Sequence, residues 1–105
     1  DSHGLSSLFL STDMVVLVLH DIFSPQDFQE APEDALRDEI AEECRNYGPI
    51  SEILLRRTPT GFGTAYIKYT DAMSALTGRD KLNGRFFAGR RISAEVRSSM
   101  DVVHV

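Results

Sequence analysis

The sequence has no tryptophan, a single cysteine and no apolar run long enough to cross a bilayer. Each shortage narrows the possibilities. One cysteine, Cys44, leaves no intrachain disulfide to form, which agrees with a reducing compartment. The apolar stretch from Met14 to Leu19 is far shorter than a membrane span, and no basic segment precedes it as in a secretory leader. The three histidines, His3, His20 and His104, are scattered, so no metal-ligand spacing arises. The glycines of TGFG (60–63) and GRFFAG (84–89) are not followed by Lys-Ser or Lys-Thr, so no phosphate-cradling loop is indicated. No cofactor is implied. Carboxylate pairs exist, but on a solvent-facing helix with no cleft and no second reactive group beside them, and the chain reads as a non-enzyme.

What is present fits one domain. The chain has 105 residues, 42% hydrophobic and 26% charged, enough to bury a core without metal or disulfide staples. It begins at Asp1, which points to a fragment of a longer protein. The expected organisation is a flank over 1–12, a domain over 13–97 and a short tail over 98–105. The formal charge is −5, and its distribution is uneven. Between Asp27 and Glu43 stand eight acidic residues against Arg37 alone, which leaves the remainder slightly positive. A nucleic-acid binder normally shows the reverse, because neutralised phosphates supply its non-specific affinity. A basic partner is the better electrostatic match.

The hydrophobic pattern divides the domain. MVVLVLHDIF (14–23) is aliphatic and β-branched without helical period, and reads as a buried strand. SPQDFQEAP (24–32), with two prolines, reads as a loop. A helix is expected from Glu33 to Tyr47, stopped by Gly48-Pro49. At about 100° per residue, Leu36, Ile40, Cys44 and Tyr47 share one face, and Asp38 and Glu42 lie opposite. Cys44 is thereby a core residue, not a nucleophile. ISEILLRR (50–57) and TAYIKYT (64–70) are strands, and DAMSALTGRDKL (71–82) is a helix capped by Thr70 or Asp71 and weakened by Gly78. NGRFFAGR (83–90) is a loop before a last strand, RISAEV (91–96).

The order β-α-β-β-α-β predicts an α+β, ferredoxin-like domain: a four-stranded antiparallel sheet with two helices on one face. The commonest domain of this shape is the RNA-recognition motif, whose bare sheet face stacks bases on aromatics. Here the positions that should be aromatic hold Val18, Thr64 and Tyr66. Losing two of three platforms, each worth ~1–3 kcal/mol, predicts weak or absent RNA binding.

An acidic first helix ending EECRNYG (42–48), a first strand without its base-stacking aromatic, the polar pair within LVLHDIFSP (17–25) and an Arg-x-Phe before the last strand together resemble the U2AF-homology motif. That is a class of RRM-like domains in pre-mRNA splicing factors. The resemblance spans 14–97. It implies a nuclear protein–protein interaction module that captures a tryptophan, preceded by Arg or Lys, from a disordered segment of another splicing factor. Carried onto this sequence, Phe87 stacks on the indole, and Arg85 lies against the ring while pairing with a carboxylate. Asp38 and Glu42 hold the basic flank, Glu39 and Glu43 add to the field, and Phe86 points elsewhere. With no tryptophan of its own the chain cannot supply this ligand, so a monomer is expected, with Phe9 only a poor substitute. Arg79 stands where the second helix of such domains tends to be apolar. Two alternatives are an RNA-binding domain using Tyr66 with a rim of Arg56, Arg57, Arg90 and Arg91, and a homodimerisation scaffold using the sheet.

Overall fold

The computed structural model describes residues 15–87 and 89–98. The expected flank, most of the tail and the residues His3, Phe9 and His104 lie outside the described residues.

Strand β1 (Val15–Phe23) is central, because its aliphatic run can be buried on both faces. It pairs antiparallel with β3 (Gly63–Tyr69) on one side and β6 (Ser93–Ser98) on the other, and β2 (Ile50–Arg57) closes the far edge beside β3. The order is β2-β3-β1-β6. Registers Leu17↔Ile67, Leu17↔Val96 and Ile53↔Ile67 put these side chains on one face, towards the helices. Val18↔Tyr66, Val18↔Glu95 and Leu54↔Tyr66 put the alternate set on the other. The register slips between Leu19 and Phe23, where Asp21 takes φ +48°. This irregularity lets the neighbours Ile22 and Phe23 both be buried, against the alternation of a regular strand.

The segment 24–32, expected as a loop, contains helix α1 (Pro25–Glu30). Its start is a capping box: Ser24 Oγ accepts from the Asp27 amide, and the Asp27 carboxylate accepts from the Ser24 amide at 2.8 Å, with Pro25 in the first turn. The prolines that suggested a loop are helix-start punctuation. Helix α2 (Glu33–Cys44) is shorter than expected, and Arg45–Tyr47 tightens into a 3₁₀ turn. Helix α3 (Ala72–Leu82) begins with Asp71 accepting from the Ser74 amide at 2.8 Å. Residues 83–90 are not a plain loop. They carry half of a small hairpin, β4 (Phe86–Phe87) against β5 (Arg90–Arg91), and β6 then starts at Ser93, after Ile92 breaks the run.

The core joins Leu17, Leu19, Phe23, Ile40, Cys44, Ile67, Tyr69 and Leu82. Tyr69 donates its buried hydroxyl to the Cys44 carbonyl at 2.6 Å, tying sheet to helix end. Gly78, expected to loosen α3, does the opposite. A Cβ there would stand 2.9 Å from Leu17 Cδ2 and 3.4 Å from the Tyr69 hydroxyl, so the missing side chain is what lets α3 seat against the sheet. No helix among the described residues is long and apolar enough to cross a membrane.

Candidate functional site

The amphipathic reading of α2 holds at the atomic level. Leu36, Ile40 and Cys44 are buried, and Asp38, Glu39 and Glu42 are exposed. Cys44 is wholly enclosed, and burial pushes its thiol up to about 12, so it has no thiolate to react with at neutral pH.

At the end of α2 the chain builds a polar bridge. Tyr47, half-buried against the core, donates its hydroxyl to Glu43 Oε2 at 3.2 Å, four residues back along the helical path. Arg85, from the segment before β4, donates from Nη1 to the same hydroxyl at 3.1 Å and lies 3.9 Å from Glu43 Oε2. Burial first, and then the hydrogen bond to Glu43, hold the Tyr47 phenol above its ordinary value, so it remains a donor. Two residues on, Phe87 is half-buried, packs on the core and meets Phe23 edge-on at 5.9 Å. In a two-residue strand, successive side chains face opposite ways. Phe86 accordingly stands 68% exposed, with the Arg91 guanidinium 5.7 Å from its ring.

Of the residues selected from sequence, the structure joins Arg85 directly to Glu43. It leaves Asp38, Glu39 and Glu42 free-standing on the outer face of α2 and turns Phe86 away. Sequence reasoning placed Tyr47 only as an apolar-face residue and overlooked its hydroxyl. The i, i+4 spacing from Glu43 was the available signal. It also missed Phe23 as the ring supporting Phe87, because that contact depends on the irregularity at Asp21. Arg79, suspected of altering the wall of α3, turns to its neighbour Asp80 at 3.0 Å.

On the opposite face of the sheet, Val18 is fully enclosed and Thr64 is 3% exposed, while Tyr66 is half-exposed between them and Leu54. Neither Val18 nor Thr64 offers a ring. Among the described residues no cluster of three or more histidine, cysteine or acidic side chains could hold a metal ion.

Comparison with known proteins decides the family. The model of the RNA recognition motif matches residues 31–93, more than half of the chain. The chain belongs to the RNA recognition motif family. Among its relatives is the poly(U)-binding-splicing factor rnp-6 of Caenorhabditis elegans, 35% identical over 81 residues, covering 76% of this chain and 10% of that protein. The poly(U)-binding-splicing factor hfp of Drosophila melanogaster is 28% identical over 102 residues, covering 88% and 15% respectively. The chain thus spans a small part of these relatives' length. The fold is shared with the RRM of Rna15, solved with bound RNA (GU): TM-score 0.60, 22% identity, 89% of this chain and 99% of that one. This RRM-type domain is an interaction module and not an enzyme, and its sequence relatives are splicing factors.

Proposed function

We propose that the domain is a peptide reader of an RNA-processing factor, working in the nucleus. It takes a tryptophan from a Lys/Arg-rich disordered segment against Phe87 and Arg85, with Asp38 and Glu42 receiving the basic flank. The observation that carries this reading is the bridge of Arg85 to Tyr47 and Glu43 at the end of α2, two residues before Phe87 in the chain. A guanidinium fixed at one edge by a phenol and a carboxylate has its flat face available for an indole, a contact worth ~0.5–2 kcal/mol. Phe87, buttressed by Phe23, is a rigid wall. Glu39 and Glu43 raise the negative potential of the same helix end. A buried tryptophan is a frequent hot-spot residue, and one anchor less the cost of ordering a flexible ligand gives affinity in the ~micromolar range. On the sheet face, the enclosed Val18 and Thr64 support the companion reading that RNA binding there is weak.

The test is to titrate the isotopically labelled chain with a short Lys/Arg-rich peptide bearing one tryptophan, and separately with oligouridine. Saturable amide shifts over 42–47 and 85–87 with the peptide are expected. Shifts confined to Tyr66, Lys68 and Leu54 with oligouridine, and none with the peptide, would overturn the reading in favour of a sheet-face RNA binder.

A further inference from the structure

The hairpin pairs each phenylalanine with an arginine, Phe86 with Arg91 and Phe87 with Arg90, so positive charge stands on both of its faces. The Arg90 guanidinium lies 4.5 Å over the Phe62 ring, and its Nε donates to the Asp21 main-chain carbonyl at 3.3 Å. Arg57 lies 4.5 Å over Phe28, and Arg91 lies 5.7 Å over Phe86. Among the described residues, none of these three guanidiniums has a carboxylate within ion-pair reach, in a chain of net charge −5. Stacking on a ring occupies a guanidinium's flat face and leaves its in-plane N–H groups, the ones that grip an oxyanion in pairs, directed outward.

Between this hairpin and the irregular stretch of β1 opens a cavity of about 460 Å³, lined by His20, Asp21, Gly89, Arg90, Arg91 and Ser93. We propose that it is a phosphate-dianion site that takes a phosphorylated serine or threonine from a peptide segment. This ligand is independent of the tryptophan peptide assigned to Phe87 and Arg85. Arg90 and Arg91 supply the paired donors, and Ser93 a hydroxyl. Gly89 keeps the mouth open, with nothing within 4 Å of where a Cβ would stand. Recognition of phosphorylated motifs by arginine clusters is a recurrent mode of peptide binding. A single compact dianion suits this surface better than a nucleic-acid strand. A long polyanion would meet the field of the acidic α2 helix and the net negative charge, and the exposed Phe86 ring already carries a guanidinium. Two carboxylates oppose an anion here, Asp21 in the lining and Glu95, which is bonded to His20 and to Arg97. Among the described residues, Asp21 is the one of the two whose charge is not shared with a cation. Removing its charge should strengthen binding, and Asn tolerates the φ of +48° that the position requires.

The experiment titrates the whole 105-residue chain with a phosphoserine hexapeptide otherwise made of Gly, Ala and Ser. The unphosphorylated peptide, inorganic phosphate and an eight-nucleotide oligouridine are run alongside. Expected are amide shifts at 20–21 and 89–93, binding at least tenfold tighter than that of the unphosphorylated peptide or free phosphate, and a severalfold gain in Asp21→Asn. Binding should be lost in Arg90→Ala/Arg91→Ala and weakened in Arg90→Lys/Arg91→Lys. The lysine pair retains charge without the fork geometry and guards against a folding defect in the alanine pair. Phosphate alone binding as tightly as the phosphopeptide, oligouridine saturating the same amides more tightly, or phosphopeptide affinity unchanged in the lysine pair would each overturn the assignment.

Discussion

Replacing Tyr47 by Phe removes one hydroxyl from the bridge between Glu43 and Arg85, and the consequence for ligand binding can be worked from the geometry. The hydroxyl donates to Glu43 at 3.2 Å and accepts from Arg85 at 3.1 Å. Without it, Arg85 retains only the looser 3.9 Å approach to Glu43 and regains rotamer freedom that binding must again remove. Ordering one long side chain costs ~0.5–1.5 kcal/mol, so Tyr47→Phe should weaken a Trp-bearing basic peptide by about 2- to 12-fold. Arg85→Ala removes the cation–π contact outright, worth ~0.5–2 kcal/mol, or about 2- to 30-fold. Because Tyr47 acts through Arg85, the losses should not add. In an Arg85→Ala background Tyr47→Phe should change affinity by less than about 1.5-fold. Isothermal titration of the four proteins of this cycle measures the coupling, and thermal unfolding checks that the half-exposed bonds cost under ~1 kcal/mol of stability. Equal effects of Tyr47→Phe in both backgrounds would refute the positioning role.

Other outcomes follow from particular contacts. Asp38→Lys with Glu42→Lys should weaken binding of the basic peptide and flatten its salt dependence while leaving the unfolding curve nearly unchanged, since both residues are exposed. Ser24→Ala removes the cap of α1 and should cost ~1 kcal/mol in denaturant unfolding. Tyr69→Phe removes the buried hydroxyl bond to the Cys44 carbonyl, which keeps its bond within the 3₁₀ turn, and should cost ~0.5–1.5 kcal/mol by the same assay. Glu95 is held below its ordinary value mainly by the hydrogen bond with His20, then by Arg97. Its folded-state affinity for protons is thus lower than in the unfolded chain, so its stabilisation is present above about 4.5 and fades as pH falls through the depressed value. The group is half-exposed and screened by solvent, so Glu95→Gln should remove a slope of well under ~1 kcal/mol from the acid limb of the stability profile.

The fold was legible because most of it rests on periodicity. Ile50–Arg57 was readable to the residue, since Gly48-Pro49 and Thr58-Pro59 bracket an unbroken strand pattern. The acidic and apolar faces of α2 follow from a spacing that no tertiary contact overrides. What escaped is chemistry in which one residue plays two parts. Pro25 and Pro32 read as loop signals, yet Pro25 opens a helix whose cap, Ser24 with Asp27, was present in the sequence. Gly78 read as a weak point because propensity counts only the helix, whereas its value lies in the close approach of Leu17 and Tyr69. The hairpin at 86–91 is two residues per strand, too short for any alternation to register.

The candidate site was legible in composition and not in connection. Arg85, Phe87 and the carboxylates of α2 were selected through the family resemblance, but the hydroxyl linking Arg85 to Glu43 and the ring behind Phe87 come from elements far apart in the chain. The irregularity at Asp21 sets both the seat of Phe23 and the cavity beside Arg90, and nothing in the aliphatic run around it announces a change of register.

The most direct test of the central claim compares two ligands differing at one position: a Lys/Arg-rich peptide carrying a single tryptophan, and the same peptide with alanine there, each titrated calorimetrically into the domain. The tryptophan peptide should bind in the ~micromolar range and the alanine peptide at least about 30-fold more weakly, the loss expected of a central hot spot. Affinities within about threefold of each other would contradict the account, because the site would then be reading charge alone.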